Sequence, residues 1–145
     1  MKAKLQTVLS EEIPITQAIG VKVENISLNS VELSAPLENN INHKSTAFGG
    51  SLYSIAVLAG WSLLYTQLAN NNINAHIVIQ ESNIKYLLPV ASDIHACCQI
   101  SDQQEIEKLI KVFKRKGIAR LNLVTEILQH NKLAVLFEGK YVIHS

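Results

Sequence analysis

A long stretch without charged residues divides the chain and predicts one buried helix. No Asp, Glu, Lys or Arg occurs between Lys44 and Glu81, and residues 51–70 are mostly apolar. The stretch is long enough to span a membrane. However, ordinary strand patterns flank it, and polar residues are spread along it: Ser51, Ser54, Ser62, Thr66 and Gln67. We therefore expect a helix that is buried on most sides inside a soluble domain rather than a membrane span.

Shorter runs of alternating or apolar residues predict six strands. They are preceded by a helix from residue 4 to 18, which Pro14 interrupts and Gly20 ends. The expected strands cover residues 21–27, 31–35, 74–87, 91–100, 118–128 and 133–143, and residues 36–48 form a loop. The first two strands are joined through Asn29-Ser30, and the last two are joined through His130-Asn131.

A second amphipathic helix is expected between the fourth and fifth strands. Residues 101–104 read Ser-Asp-Gln-Gln, a capping-box pattern, and apolar residues at helical spacing follow from Ile106 to Phe113. Three basic residues suit the negative end of this helix, and Gly117 ends it.

The order of these elements predicts an α+β fold with a single domain over residues 1–145. A helix that is apolar all round must be covered on most sides, and a curved antiparallel sheet wrapped around it provides that cover. This architecture is the hotdog fold.

Composition restricts the function. The net charge is +1, so the molecule as a whole offers no electrostatic attraction for nucleic acid or an acidic membrane. Only 17% of the residues are charged, which suits a chain that buries surface against its own copy. Neighbouring Cys97 and Cys98 point to opposite faces of a strand and are expected to be reduced, one of them buried. The five histidines show no metal-ligand spacing, and no signal-peptide pattern follows Met1, so we expect a cytoplasmic protein without metal or redox cofactor.

The start of the long helix is the most informative chemical feature. Residues 42–50 read Asn-His-Lys-Ser-Thr-Ala-Phe-Gly-Gly, and the helix follows directly. Unpaired N–H groups at a helix start attract negative charge on a substrate oxygen, and glycine allows a close approach to them. The alternative is that these nine residues are an ordinary loop before a core helix.

This loop resembles that of the hotdog-fold thioesterases, the group that includes phenylacetyl-CoA thioesterase-like proteins. The matching residues are Asn42, Ser45, Thr46, Gly49 and Gly50. Residues 83–90, Asn-Ile-Lys-Tyr-Leu-Leu-Pro-Val, resemble a second family motif at a strand end, and residues 140–143 fit as well. The likeness covers the chain from residue 14 onward, with residues 102–113 as an insertion. Residues 48–53 and 58–61 more closely resemble a thioesterase domain found behind an acetyltransferase domain in some bacteria.

The resemblance implies a homodimer or a dimer of dimers with active sites between subunits, where an acyl thioester of coenzyme A or acyl carrier protein would bind. It also implies that the Gly50 N–H holds the thioester carbonyl and that Gly49 shapes the turn. Two positions depart from the family pattern. The usual helix carboxylate is replaced by Val57, and the usual loop histidine is replaced by Phe48, so the usual general base is absent.

Three residues are candidates for the missing chemistry. Glu81 lies two residues before Asn83 on a strand, so both share a face, and a buried carboxylate there could activate water. Asn42 could orient water or hold the thioester oxygen, and His43 has a suitable ordinary pKa for a base. The alternatives are a solvent-facing or salt-bridged Glu81, turn chemistry for Asn42 and an exposed loop position for His43.

Further candidates lie on the first helical turns. Ser51 or Ser54 would need a His–acid pair to act as a nucleophile, and no such pair is evident in the sequence. Tyr53 could line the acyl site or pack in the core or at an interface, and Phe48, Gly49, Ser51 and Asn83 are the other expected substrate contacts. The basic residues between 108 and 120 could meet phosphates or an acidic carrier protein, although a solvated helix face explains them as well.

We therefore expect an acyl thioesterase that uses Gly50, Asn42 and either Glu81 or His43. The alternatives are a non-catalytic module that binds acyl thioesters and a hydroxyacyl-thioester dehydratase, which the absence of a helix acid disfavours.

Overall fold

A computed structural model describes residues 1–145 and contains four α-helices and six strands. The elements occur in the order α1 Lys2–Glu12, α2 Ile15–Ile19, β1 Lys22–Ile26, β2 Ser30–Ala35, α3 Gly49–Asn70, β3 His76–Tyr86, β4 Ile94–Gln99, α4 Gln103–Lys116, β5 Ile118–Gln129 and β6 Lys132–His144. A short 3-10 helix, Glu38–Asn40, lies in the loop before α3. The expected elements are therefore present, with boundaries that differ by a few residues.

The strands form one antiparallel sheet with the order β1-β2-β4-β5-β6-β3. Helix α3 packs against β2, β3, β4, β5 and β6. This arrangement confirms the hotdog architecture, a curved sheet around one long helix. Although α3 is long and apolar enough to cross a membrane, it is the core helix of this domain, and two thirds of its most apolar window is buried.

Alternation along β5 shows how the sheet divides core from surface. Residues from Ala119 to Gln129 alternate between buried or half-buried odd positions and exposed even positions. The same alternation places Cys98 in the core and Cys97 on the other face, as expected. Burial raises the pKa of Cys98 to about 12, so its thiol is inert at neutral pH.

A glycine brings the sheet unusually close to α3. The Tyr141 hydroxyl donates to the Val57 carbonyl at 2.7 Å, and a Cβ at Gly60 would overlap the Tyr141 ring and hydroxyl. Gly60 is therefore required for this close approach. The contact ties β6 to the middle of α3 and fixes the helix axis relative to the sheet.

Caps define the shorter helices. The left-handed residue Gly20 ends α2, and the left-handed residue Gly117 ends α4. The N-cap of α4 is Asp102, whose carboxylate accepts from the Gln104 N–H at 2.9 Å. Ser101, the first residue of the expected capping box, is therefore not the cap, because the shorter Asx connection from Asp102 already satisfies a free N–H of the first turn.

Candidate functional site

Two free backbone donors lie at the start of α3. The N-cap residue Phe48 makes no side-chain cap, and its carbonyl accepts from Ser51 and Leu52. The N–H groups of Gly49 and Gly50 make no hydrogen bond within the protomer. These donors, at the positive end of a 22-residue helix, can bind a negatively charged or polarised oxygen. The structure thus provides the geometry that the Gly-Gly sequence predicted.

Phe48 covers one side of this helix start. Its side chain is 57% exposed, and its ring lies so close to Gly50 that a Cβ there would come within 2.5 Å of it. Gly50 therefore allows the aromatic ring to rest beside the free donors. An exposed apolar ring at this place agrees with the expected contact between Phe48 and substrate, which stays a prediction.

Asn42 holds the loop before α3 together. Its Oδ1 accepts from the N–H groups of Lys44 and Thr46 at 2.8 and 3.2 Å, and its Nδ2 donates to the Thr46 hydroxyl at 2.9 Å. Both ends of the amide are thus engaged within the loop, and the bond from Lys44 forms an Asx turn. This geometry supports the turn alternative for Asn42 more directly than a contact with water or thioester.

His43 extends from the same loop into solvent. Its side chain is exposed, and the structure records no hydrogen bond or ion pair for it. His43 is therefore available as a base only if a substrate or a second subunit brings the reacting atoms to it. Its catalytic role stays a prediction.

A β-bulge in β3 decides which side chains face α3. The pairing with β6 shifts between Ile79 and Glu81, so Gln80 is an extra residue in the strand. After the bulge Ser82 points toward α3, where its hydroxyl and that of Tyr53 lie 2.6 Å apart. Four residues later the Tyr86 hydroxyl donates to the Gly49 carbonyl at 2.9 Å. The bulge thus brings two hydroxyl-bearing side chains of β3 to the first turns of α3.

The same bulge turns Glu81 to the outer face of the sheet. Its side chain is 72% exposed, and its carboxylate lies 3.3 Å from the Lys140 ammonium. Glu81 does share a face with exposed Asn83, as expected. The expected buried environment is not present, because that face points away from α3 and carries an open cleft of about 400 Å³ that no hydrophobic residue lines. The salt-bridge alternative describes Glu81 in this protomer.

Helix α3 leaves one face incompletely covered. Tyr53, Val57, Trp61 and Tyr65 follow at intervals of four residues, and all four are half-buried. Tyr53 packs edge-to-face on Phe137, whereas Trp61 stacks on Tyr65. The cover expected on most sides of α3 is present, and this face is the part that a single protomer leaves half-buried. This face carries no carboxylate, in agreement with the departure at Val57.

The two serines of the first helical turns have no nucleophile geometry. The Ser54 hydroxyl donates to the Gly50 carbonyl at 2.9 Å, which is an ordinary bond within the helix. No histidine contacts Ser51 or Ser54 through a hydrogen bond. Their hydroxyls are accordingly not activated in this protomer.

Burial affects one ionisable group beside the helix start. Partial desolvation raises the pKa of Tyr86, and the neighbouring Tyr53 adds to the shift. Tyr86 is therefore a neutral hydrogen-bond donor at physiological pH. No group of three or more His, Cys, Asp or Glu side chains is arranged to hold a metal ion.

Ser82 is the residue that sequence reasoning missed. Counting from Ile79 along an ideal strand would turn Glu81 toward α3 and Ser82 outward, but the bulge at Gln80 adds one residue and reverses both. Polar residues that interrupt the apolar alternation after Ile79 are the only signal of that bulge in the sequence. Tyr86 lies within the strand-end motif, but its bond to Gly49 could not be deduced from that motif.

The basic residues between 108 and 120 are exposed on α4 and the start of β5. Residues 108–120 contain six cations and no acid, which leaves a net charge of −5 for the rest of the chain. None of the six lies within 4 Å of a carboxylate. They are Lys108, Lys111, Lys114, Arg115, Lys116 and Arg120. The patch is an uncompensated positive surface remote in sequence from the α3 start.

Known proteins share both the sequence pattern and the fold. A structure of a protein of unknown function from Chlorobaculum tepidum TLS is 38% identical, with 99% of this chain and 94% of that chain covered and a TM-score of 0.95. A “putative thioesterase” from Shewanella oneidensis is 27% identical, with coverage of 99% and 97% and a TM-score of 0.90. The PaaI protein from the phenylacetic acid degradation operon of E. coli, at 18% identity, 97% and 91% coverage and a TM-score of 0.65, shares the fold.

The family comparison covers almost the whole chain. Residues 2–145 match the family described as “Putative thioesterase (yiiD_Cterm)”. The match includes the α3 start, the bulged strand β3 and the α4 segment. Together with the hotdog architecture and the free donors of Gly49 and Gly50, it shows that this chain belongs to that family of hotdog-fold thioesterases.

Proposed function

We propose that the protein hydrolyses acyl thioesters of coenzyme A or of an acyl carrier protein. The oxygen of water bonds to the thioester carbonyl carbon, the C–S bond breaks, and a carboxylic acid and a free thiol are released. The observation that carries this proposal is the pair of unpartnered N–H donors at Gly49 and Gly50. Such donors stabilise the negative charge that develops on the carbonyl oxygen during acyl transfer.

Each residue at the α3 start has a distinct part in the proposal. Gly50 donates its N–H to the thioester oxygen, and Gly49 keeps the turn open to the substrate. The exposed ring of Phe48 contacts the apolar part of the substrate. Asn42 maintains the loop that presents these groups through hydrogen bonds to Lys44, Thr46 and Ala47.

The proposed active form is a homodimer or a dimer of dimers, with the site between subunits. Strand β3 is an edge of the sheet with 11 residues and no strand on its outer side. A second copy that pairs along this edge would also approach the half-buried face of α3. This arrangement would exclude water from the thioester and could bring His43 of one copy toward the site of the other.

The proposed location is the cytoplasm, where coenzyme A and carrier-protein thioesters are available. No metal, redox cofactor, nucleic acid or membrane is required by the proposed reaction. A water molecule and the two ends of the thioester supply all its atoms.

A non-catalytic module that binds acyl thioesters is the second candidate. Val57 favours it, because the half-buried face of α3 lacks the carboxylate that would serve as a base. Such a module would hold the carbonyl at Gly50 without breaking the C–S bond.

The first experiment is a thiol-release assay with acyl-CoAs from acetyl to palmitoyl, carried out with wild type and with Gly50→Pro. Proline at the second helical position removes the N–H without breaking an internal hydrogen bond. We expect kcat to fall about 100-fold or more, as for the loss of an oxyanion donor.

Gly50→Ala is the matched control, because it keeps the N–H while its Cβ displaces the Phe48 ring. Circular dichroism of both variants checks the fold. Wild-type binding of acyl-CoA without turnover, with acyl-carrier-protein substrates included, would favour the binding module instead.

A further inference from the structure

Two hydroxyl groups meet beside the free donors of α3. The hydroxyls of Tyr53 and Ser82 are 2.6 Å apart, so one donates to the other. Tyr53 lies three residues after Gly50, on the same side of the helix, and helical side chains lean toward the N-terminus. Phe137 holds the Tyr53 ring edge-to-face at a centroid distance of 5.6 Å. The pair is therefore fixed in position close to the α3 start.

The hydroxyl pair lies on the same face of α3 as Val57, which stands where the family pattern has a carboxylate. Tyr53 and Val57 are four residues apart and share the half-buried face of α3. The residue of β3 that meets Tyr53 is Ser82, because the bulge turns Glu81 outward. Polar groups on this side of the helix start are thus hydroxyls rather than carboxylates.

A hydroxyl pair can move protons without changing its own charge. Two hydroxyls carry two protons, and their mutual hydrogen bond uses only one of them. The second proton is available to a group of the substrate, while the free lone pairs can accept from water. No carboxylate is needed if the pair returns to its starting state.

On this basis we propose that Tyr53 and Ser82 are catalytic residues that relay a proton from the attacking water to the leaving sulfur. This inference rests on the proposed thioester hydrolysis. As the water oxygen bonds to the carbonyl carbon, one water proton passes to the hydroxyl pair. The pair gives its free proton to the sulfur as the C–S bond breaks, and the products are a carboxylic acid and a thiol.

The test compares tyrosines on the same face of α3. Tyr53→Phe keeps the ring contact with Phe137 but removes the hydroxyl, and we expect kcat to fall about 100-fold, within the range for a proton-transfer group. Tyr65→Phe is the matched control, because Tyr65 is equally half-buried and stacks on Trp61. Ser82→Ala should likewise lower kcat about 100-fold, and Ser82→Thr should restore it.

The pH profile separates a relay from a structural role. Because neither hydroxyl must lose its proton beforehand, wild-type kcat should be level between about pH 5.5 and 8. An acidic limb near the ordinary histidine pKa of about 6.5 that disappears in His43→Ala would assign the proton transfer to His43. That result would overturn the relay.

A binding measurement distinguishes failure of the relay from failure of hydrolysis itself. The probe is S-(2-oxononyl)-CoA, a ketone analogue in which a methylene group separates the sulfur from the carbonyl. If wild type releases no thiol, the proposed hydrolysis and the relay both fail. If wild type is active but Tyr53→Phe and Ser82→Ala match Tyr65→Phe in kcat and in affinity for the probe, only the relay is overturned.

Discussion

The two edge strands of the sheet, β1 and β3, differ in whether another part of the protomer covers them. The edge strand β1 has five residues and is covered by α1. The side chain of Gln6 in α1 makes two hydrogen bonds to backbone groups at this edge, as a neighbouring strand would. Its amide donates to the Val21 carbonyl at 2.9 Å and accepts from the Val23 N–H at 2.8 Å. The edge strand β3 has 11 residues, is exposed over most of its length and has no neighbouring strand on its outer side.

This difference favours β3 as the edge that pairs with another chain. Proteins usually protect a long edge strand, because its unpaired N–H and C=O groups can pair with a second molecule. Here α1 protects the short edge, although the longer edge carries exposed apolar residues such as Val78 and Tyr86. A solvent-facing edge of this kind is the physical basis of the proposed homodimer.

The largest expected effect is on association through β3. Val78→Lys places a charge on the open edge, and the two-fold symmetry of a dimer would place it there twice. We expect the dissociation constant of the homodimer to rise at least 100-fold, about 2.7 kcal/mol, in sedimentation equilibrium. Burying a charge without a partner is the reason for this loss.

Leu28→Lys is the control at the other edge. Leu28 is 67% exposed in the turn between β1 and β2, so its replacement should leave the dissociation constant unchanged. Equal weakening by both variants, or a monomeric wild type, would contradict association through β3.

The covered edge gives a smaller effect, on the stability of the protomer. Gln6→Ala removes the hydrogen bonds to Val21 and Val23, and we expect the free energy of unfolding to fall by about 1–3 kcal/mol. Urea denaturation measures this change. Gln17→Ala is the matched control, because its amide makes one exposed bond to the Ser10 carbonyl. A loss for Gln6→Ala no larger than that control would show that α1 covers β1 through apolar packing alone.

Much of this fold could be predicted from the sequence, because its signals are local and repeated. The charge-free segment predicted α3 within two residues, and alternation predicted all six strands. Leu5 and Leu9 are fully buried on α1, yet nothing in the sequence shows that Gln6 beside them would bond to β1. That contact joins segments that only the folded chain brings together.

The site was predictable only in part, for a related reason. The Gly49-Gly50 donors follow from a local rule about helix starts, and the structure places them as expected. The face of Glu81 depends on a single inserted residue, Gln80, whose effect is to reverse every later side chain in β3. Bulges are set by pairing with β6, so the Tyr53–Ser82 contact could not be read from strand alternation.

The smallest expected effect concerns the pH dependence of the covered edge. The Ser34 hydroxyl donates to the Glu24 carboxylate at 2.7 Å and holds the pKa of Glu24 below its ordinary value of 4.5. Because the folded-state pKa is the lower one, folding favours ionised Glu24, and its contribution is complete above pH 4.5. The contribution is lost as the pH falls below 4.5 and through the folded-state pKa.

Thermal unfolding of wild type and Ser34→Ala at neutral and acidic pH measures this contribution. We expect the difference in Tm between the two proteins to shrink as the pH falls, and the change to be small because Glu24 is accessible to solvent. Glu24→Gln should abolish the pH dependence of that difference. A difference between wild type and Ser34→Ala that is constant with pH would mean that the hydroxyl stabilises β1 without favouring the ionised carboxylate. The cover on β1 would then depend on α1 and Gln6 alone. The charge of Glu24 would not contribute to the difference between the covered edge β1 and the open edge β3.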